Sequence, residues 1–427
     1  MRIFSKPNRI HLSPWLVPLL YAILALVGEA VLPRLEIYFF PHMKAELSIG
    51  SALALYSSIA SGMMALTGIV FSLTFLMVQF SATAYSPRLV MWIARDPVLS
   101  HALGVFTATF LYAIAALSWL DRGSSRKVLL FNALTVVALL LASVAMFIAL
   151  VQRVSLLQIN RMLLFTGNQG RKVIDQWYTQ LAPSSAKAQP INNIKPLPVQ
   201  RVLHRGRPQA LQEIDTKKLV ELARQHDGHI EVVAAVGDTV LEGTVLLHVY
   251  SIRHRIPDAE LRSAVKLGDE RTFDQDPKYA IRLLVDIAIR ALSPGINDPT
   301  TAVQALDQIG DLLARLGQKQ LEIGEFYDDA GQMRLTASFP SWDDFLHLGF
   351  EEILSYGARS VQIMRRMKAL VADLLTVLPP ERHAALRYWR ERLETSIGRS
   401  FEDIEEKMSA SIEDRQGLGI TRRKVGA

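Results

Sequence analysis

The sequence of 427 residues contains no cysteine, and this absence excludes several kinds of site. Disulfide bonds, thiolate zinc centres, Cys-ligated iron–sulfur clusters and cysteine nucleophiles all need a thiol. The sequence also has no P-loop, no dinucleotide glycine fingerprint, no G-x-S-x-G and no H-E-x-x-H. Because no nucleophile–base pair can be named, an enzyme is the least supported class. We expect no catalytic residues, no metal and no cofactor.

Charged residues are scarce in the first part of the chain. Residues 1–165 hold 12 Lys or Arg and 5 Asp or Glu, whereas the remaining residues hold 35 and 36. The formal net charge of +6 therefore comes from the charge-poor part. Its basic residues flank apolar runs, as membrane anchors do, and do not form the basic soluble face of a nucleic-acid binder. We expect a lipid bilayer and no nucleic acid as partners.

Long apolar runs are confined to the first 152 residues, and four are long enough to cross a bilayer, which takes about 20 apolar residues. They are residues 14–32, a run within 47–87, residues 102–120 and residues 128–152. If the N-terminus is cytoplasmic, the cytoplasmic loops carry nine Lys or Arg and the outer loops carry five. This difference predicts a multi-pass membrane protein with both termini in the cytoplasm.

The rest of the chain predicts a cytoplasmic α+β region after a four-helix transmembrane domain of residues 1–165. Residues 166–200 are rich in Gly, Gln, Ser, Asn and Pro and predict a linker. Residues 201–256 predict a small β-rich module. Residues 257–427 predict a mainly helical domain, with one hairpin at 320–340. The predicted fold class is thus a membrane α-helical bundle of four spans followed by an α+β region.

The second apolar run carries a stripe of small and polar residues that we call the polar seam. At about 100° per residue its members fall within an arc of roughly 80° on a helix. Such a stripe lets two helices approach closely in lipid, or lines a water-filled path of modest selectivity in an oligomer. Both interpretations stay open. The members of the seam are Ser57, Ser61, Gly68, Ser72, Gln79 and Thr83.

Two polar segments in the helical domain form a candidate anion site. Asp276 and Asp298 each precede a proline and so predict helix N-caps. In one interpretation the segments form a capped helical hairpin with an ion-paired face; in the other, arginines grip a small anionic ligand that acidic side chains orient. The candidate residues are Arg271, Asp274, Arg282, Arg290, Asn297 and Asp298.

The same segments resemble a known family. The pattern T-G-I-V-F-S-L-T-F…Q-F-S-A-x-x-Y-S-P-R at residues 67–88, F-D-Q-D-P at 273–277 and A-L-S-P-G-I-N-D-P-T-T-A at 291–302 are similar to an uncharacterised family of bacterial membrane proteins, a domain of unknown function. The resemblance extends to about residue 415. It implies four N-terminal spans in the bacterial inner (plasma) membrane and a cytoplasmic C-terminal half, and it implies no catalytic residue.

A weaker resemblance lies in the β-rich module. Residues 236–246 are similar to the barrel-sandwich pattern of biotinyl and lipoyl domains, which carry a modified lysine. No lysine occurs between Lys218 and Lys266. We therefore expect a spacer or docking module of barrel-sandwich type without a swinging arm.

Two functions remain compatible with the sequence. One is an oligomeric pore or transport-related protein, in which the second span lines or gates a path and the soluble half forms a vestibule or sensor. The other is a membrane-anchored binding or regulatory protein that recognises an anion through the arginine-bearing hairpin. Two further polar residues lie within the spans. We expect Glu29 to reach the interface by snorkelling and Asn132 to make an interhelical hydrogen bond.

Overall fold

The computed structural model of the protein describes residues 16–40, 47–84, 97–122, 128–155, 159–181, 197–250 and 254–416. The chain divides into two compact units, Met1–Gln158 and Ile159–Ala427. The first unit consists of helices, whereas the second combines two sheets with further helices.

Within its described residues, the first unit contains four helices that are long and apolar enough to cross a membrane. They are α1 (Leu16–Phe39), α2 (Ile49–Ala84), α3 (Pro97–Arg122) and α4 (Leu130–Ser155). Helix α3 packs against each of the other three. A close approach between α1 and α3 needs Gly104, because a Cβ there would lie 2.6 Å from the Tyr21 ring. The four predicted spans are confirmed.

The second unit begins with α5 (Ile159–Trp177) and contains a mixed five-stranded sheet and an antiparallel three-stranded sheet. The larger sheet has the order β1-β5-β3-β8-β7, in which only β3 and β8 are parallel; the smaller has the order β4-β2-β6. The strands are β1 (Gln200–Leu203), β2 (Gln209–Ile214), β3 (His229–Val232), β4 (Thr239–Val240), β5 (Val245–Tyr250), β6 (Val265–Gly268), β7 (Glu325–Tyr327) and β8 (Met333–Ala337).

Eight more α-helices follow among the described residues of the second unit. They are α6 (Thr216–Gln225), α7 (Asp258–Ser263), α8 (Pro277–Ala291), α9 (Pro299–Gly317), α10 (Trp342–Gly357), α11 (Val361–Val377), α12 (His383–Ser400) and α13 (Ile404–Ser411). Helices α5, α8 and α9 pack against one another, α10 packs on α8, and α11 packs on α9. Their apolar faces, including Leu284 and Leu313, are fully buried, as amphipathic helices require.

The structure differs from the predicted linker of residues 166–200 at its start. Helix α5 runs to Trp177. The glycines that made this segment resemble a linker are points of close packing, because a Cβ on Gly170 would lie 2.8 Å from Leu312 and 2.9 Å from Ala280. Small residues here let α5 approach α8 and α9. Residues 182–196 of the predicted linker lie outside the described residues.

The predicted division between a β-rich module and a helical domain at residue 256 also differs from the structure. Strand β8 pairs in parallel with β3, and β6 pairs with β2, so strands from both sides of residue 256 share each sheet. The mainly helical character predicted for residues 257–427 includes two separate helices over 342–377, because Ser360 caps the start of α11. The predicted fold class, a bundle of four spans followed by an α+β region, is confirmed.

Candidate functional site

The polar seam lies on the side of α2 that faces away from the other helices of the first unit. Its side chains Ser57, Ser61, Ser72 and Gln79 are exposed, as is Gly68. The opposite side of α2 is buried, with Tyr56, Met63 and Val70 among its core residues. A Cβ on Gly68 would meet no described atom within 4 Å. The side chain of Thr83, the last seam residue, lies outside the described residues.

Threonine hydroxyl groups on the other side of α2 form hydrogen bonds within the helix. Thr67 donates to the Met63 carbonyl and Thr74 to the Val70 carbonyl, both at 2.7 Å. Such bonds to the preceding turn satisfy a hydroxyl without a partner helix. The bundle-facing side of α2 is therefore apolar with internally satisfied threonines, and its outward side carries the polar seam.

The F-D-Q-D-P segment joins three elements of the second unit. The Gln275 amide donates to the Ile214 carbonyl and accepts from the Ile214 amide, both at 2.9 Å, and so extends the edge of β2. The Trp177 indole donates to the Asp274 carbonyl at 3.1 Å, which ties α5 to the same loop. Phe273 packs against Tyr279 of α8, with ring centroids 4.9 Å apart. The segment therefore has a structural role in this unit.

Asp276 does not cap α8 with its side chain, contrary to the sequence expectation. Its carboxylate is 2% exposed and accepts from the Arg271 guanidinium at 2.5 and 3.0 Å. Burial raises the pKa of the Asp276 carboxyl, although Arg271 acts in the opposite direction. Gly237, at φ +94°, lies against this pair, where a Cβ would come within 2.5 Å of both side chains. The ion pair thus replaces the predicted cap.

A narrow cleft runs beside Asp276. It is lined by Tyr178, Gln275, Lys278 and Ser338 among others, and about 10 Å³ is open to the centre of a water molecule. That is room for roughly one water. The Oδ1 atom of Asp276 is buried and has no hydrogen-bond partner among the described residues. The cleft suits a structural water rather than a larger ligand.

Arg282 is matched by two carboxylates. It donates to Asp286 one turn further along α8 at 2.5 and 2.7 Å, and to Glu352 of α10, with one bond at 2.7 Å. The Arg282 hydrogen bond lowers the pKa of Glu352, and these bonds raise the pKa of Arg282. The predicted ion-paired face of α8 is present, and it also links α8 to α10.

The remaining candidate residues lie at the turn between α8 and α9 or on the loop before α8. Asp298 accepts from the Thr301 amide at 3.1 Å and its hydroxyl at 2.6 Å, so it caps α9 as expected. Asn297 has φ +49°, and Arg290 is partly buried near the end of α8. Asp274 lies 3.6 Å from Lys266. Arg271 and Arg282 have separate acidic partners, so the geometry gives the capped-hairpin interpretation more support than the anion site, which stays a prediction.

Two glutamates of α1 are buried in the first unit. Glu36 is 1% exposed and accepts from the backbone amides of Leu130 and Phe131 at 2.6 and 2.8 Å, so it caps α4 from α1. Glu29 is buried and not at the surface, contrary to the snorkelling expectation. The spacing of seven residues between these two glutamates was an available signal, because it places both on one face of α1.

Comparison with known proteins shows to which family this chain belongs. Uncharacterized proteins of Mycobacterium bovis and of Mycobacterium tuberculosis are each 27% identical to this chain over 392 residues, covering 87% of this chain and 74% of each relative. No solved structure matches the chain. The family described as predicted membrane protein (DUF2254) matches residues 11–373. The resemblance found in the sequence is therefore confirmed, and the chain belongs to this family of predicted membrane proteins.

Proposed function

We propose that the protein is an oligomeric pore of the bacterial inner membrane in which α2 of each subunit faces a shared axis. One observation carries the proposal: the polar seam lies on the outward side of α2, which also exposes apolar side chains such as Phe75 and is opposite the side that packs in the bundle. A neighbouring subunit would cover this face, and the occupant we commit to is α2 of a second copy. Both chain termini are proposed to be cytoplasmic.

The bilayer gives a physical reason for this arrangement. Lipid tails offer the serine hydroxyls of the seam no hydrogen-bond partner, so a helix face with several hydroxyls in contact with lipid is unfavourable. Contact with the same face of another subunit, or with water, removes that cost. Other helices of the first unit also favour contact with lipid, because α1 and α4 expose large apolar side chains such as Leu24 and Leu141.

A path between subunits fits the bundle better than a path through one chain. Helix α3 packs against the other three helices and buries Phe106 and Tyr112, which fills the interior of the bundle. The seam carries hydroxyl and amide groups but no Asp, Glu, Lys or Arg. Rings of charge set ion selectivity in many channels, so we expect a pore of modest selectivity, with the second unit as a cytoplasmic vestibule or sensor.

The test is conductance of the purified chain in planar bilayers. The wild-type protein is expected to give discrete openings. Ser72→Leu places a branched apolar side chain on the seam, and we expect at least a tenfold loss of conductance. Ile69→Leu is the matched control, because Ile69 is also exposed but lies about 80° round α2 from the middle of the seam; it should conduct as wild type. A silent wild-type bilayer at all voltages, or equal conductance in Ser72→Leu, contradicts the proposal.

A further inference from the structure

Helices α5 and α9 run in the same direction through the second unit. Arg171 of α5 donates to Asp311 of α9 at 2.6 Å. Further along both chains, Asp175 lies 3.2 Å from Lys319, which follows α9. Helix α9 therefore starts at the same end of the unit as α5. The turn between α8 and α9, residues 292–298, lies at this end too, because it leads directly into α9.

Helix α10 ends beside this turn. A Cβ on Gly357, the last residue of α10, would lie 3.4 Å from the Leu292 side chain. Helix α11 follows from there along α9, and Leu378 after its last turn packs against Gly317, the last residue of α9. The second unit thus has an entry end, formed by the start of α5, the turn and the end of α10, and a far end where α9 and α11 finish.

The entry end exposes apolar and basic side chains. Leu164 on α5, Ile296 in the turn and Tyr356 near the end of α10 are 49%, 46% and 56% exposed. On α5, Arg161 and Phe165 share the exposed face with Leu164, since they are three or four residues apart. These residues form one group that we call the entry surface: Arg161, Leu164, Phe165, Ile296, Tyr356 and Arg359.

The covalent chain keeps this end close to a bilayer. The last span, α4, ends at Ser155 and α5 starts at Ile159. The chain between these two residues extends at most about 14 Å, so α5 starts near the membrane in any orientation of the second unit. Leu164 and Phe165 follow within roughly 9 Å along the axis of α5, and a headgroup layer is about 5–8 Å thick. Both side chains can therefore reach lipid.

The charge next to the last span also favours lipid. Residues 128–174 contain no Asp or Glu. They contain four basic residues, all after the apolar run: Arg153, Arg161, Arg171 and Lys172. Several basic residues directly after a span attract anionic phospholipids. The carboxylate in the turn, Asp298, is engaged by Thr301. The basic side chains next to the membrane therefore complement anionic headgroups.

We propose that the entry surface docks the second unit on the bilayer through anionic phospholipids. Leu164, Phe165 and Ile296 enter the headgroup layer, where apolar side chains are removed from water. Arg161 and Arg359 contact the phosphates. The occupant is lipid and not a second copy of the chain. Because the surface belongs to the second unit, the proposal does not rest on the pore or on the polar seam.

Spin labels on the full chain test the docking. The chain has no cysteine, so Phe165→Cys and Ile296→Cys each carry one label on the entry surface. Val377→Cys is the matched control, because Val377 ends α11 at the far end and is 54% exposed. The chains are placed in nanodiscs of phosphatidylcholine and phosphatidylglycerol. Electron paramagnetic resonance measures collision of each label with oxygen, which concentrates in lipid, and with a neutral nickel complex in water.

The ratio of oxygen to nickel collision decides between lipid, water and protein. We expect this ratio to be at least fivefold higher at Phe165 and Ile296 than at Val377. Equal ratios at the three positions would show that the entry surface faces water, and they would overturn the proposal. Labels shielded from both reagents at Phe165 and Ile296 would show that protein covers the surface, and this result would overturn it too.

A double variant tests the role of lipid charge. Arg161→Gln with Arg359→Gln removes two exposed charges, and its thermal unfolding in detergent should match that of wild type. In the mixed nanodiscs it should lower the ratio at Ile296 at least twofold, as phosphatidylcholine alone should for the unchanged arginines. Arg387→Gln with Arg390→Gln is the control, because both residues are exposed on α12, and it should change nothing.

Two outcomes of the charge experiment are decisive. An equal ratio at Ile296 in both lipids and in both double variants overturns the assignment to anionic headgroups. A fall of the same size in the α12 control shows that net charge and not the entry surface is responsible, and it overturns the assignment as well. A silent bilayer in the conductance test of the pore leaves these measurements unaffected.

Discussion

The two units of this protein treat buried polar groups in different ways. In the second unit several buried or half-buried charges have partners of opposite sign, as in Arg271–Asp276 and Arg366–Asp307, at 2.5 and 2.7 Å. In the first unit the buried Glu36 carboxylate binds two backbone amides instead of a cation. Both units also contain buried polar atoms without a described hydrogen-bond partner, among them Glu29 Oε1 and Asp276 Oδ1. The centre of a bilayer holds no water, so an unsatisfied polar group costs more where a helix spans the bilayer.

This difference indicates where function is concentrated. Ion pairs such as Arg282–Glu352 link neighbouring helices of the second unit and have a structural role that needs no ligand. Ionisable groups inside a membrane are expensive and are generally kept for function. The first unit therefore holds the proposed pore-lining surface, the polar seam of α2.

The largest expected effect is loss of the Glu36 cap. Glu36→Ala leaves the Leu130 and Phe131 amides without acceptors at the buried start of α4, and charge-assisted bonds of this kind are worth about 1.5–3 kcal/mol each. We expect the full chain to lose about 3 kcal/mol of unfolding free energy, measured by denaturant titration in detergent micelles. Glu36→Gln keeps one good acceptor and should lose about half as much. An unchanged unfolding midpoint in Glu36→Ala would show that Glu36 does not stabilise the start of α4.

A smaller effect is expected from adding a side chain where α1 and α3 meet. Gly104→Leu forces atoms into the Tyr21 ring, and overpacking typically costs about 1–3 kcal/mol. Gly62→Leu, on α2, adds the same side chain where no described atom lies within 4 Å, and it should unfold as wild type. The two variants are compared by thermal unfolding in detergent. Equal losses of stability in the two variants would show that α1 and α3 do not pack as described.

The smallest effect is expected in the second unit, from Glu352→Gln. The hydrogen bond from Arg282 lowers the pKa of Glu352, so the pair stabilises the folded state above the unfolded pKa and this stability is lost as the pH falls through the folded pKa. Glu352 is 43% exposed, which limits the loss at neutral pH to about 0.5–1 kcal/mol.

Unfolding midpoints of the full chain at pH 7 and at pH 4 and below check this expectation. The difference between wild type and Glu352→Gln should shrink as the pH falls, whereas Glu402→Gln, at an exposed position, should differ little from wild type at either pH. A difference in midpoint that grows as the pH falls would contradict the expected contribution of the Arg282–Glu352 ion pair to stability.

The sequence was informative where one strong pattern dominates. Apolar length alone located the four spans, and Pro299 after Asp298 located the cap of α9. Local patterns failed where tertiary contacts decide. Glycines such as Gly170 are typical of a linker, but in α5 Gly170 allows close packing against other helices. Asp276 stands before a proline, as an N-cap residue does, but its carboxylate binds Arg271, which the fold brings next to it.

The candidate sites were predictable to different degrees. Helical periodicity found the polar seam, because its members lie on one helix, but periodicity does not give the direction in which a face points. The packing of α3 against the other three helices decides which faces are covered, and no spacing within one helix predicts it.

The most direct test of the central claim asks whether the polar seam meets water and a second copy. The sequence has no cysteine, so single-cysteine variants report one position each. In membranes, Ser61→Cys and Ser72→Cys are expected to react with a membrane-impermeant thiol reagent and to form disulfide-linked dimers under mild oxidation, whereas Ile69→Cys should do neither. If Ser61→Cys and Ser72→Cys stay unlabelled and monomeric as Ile69→Cys does, the seam faces lipid and the oligomeric pore is contradicted.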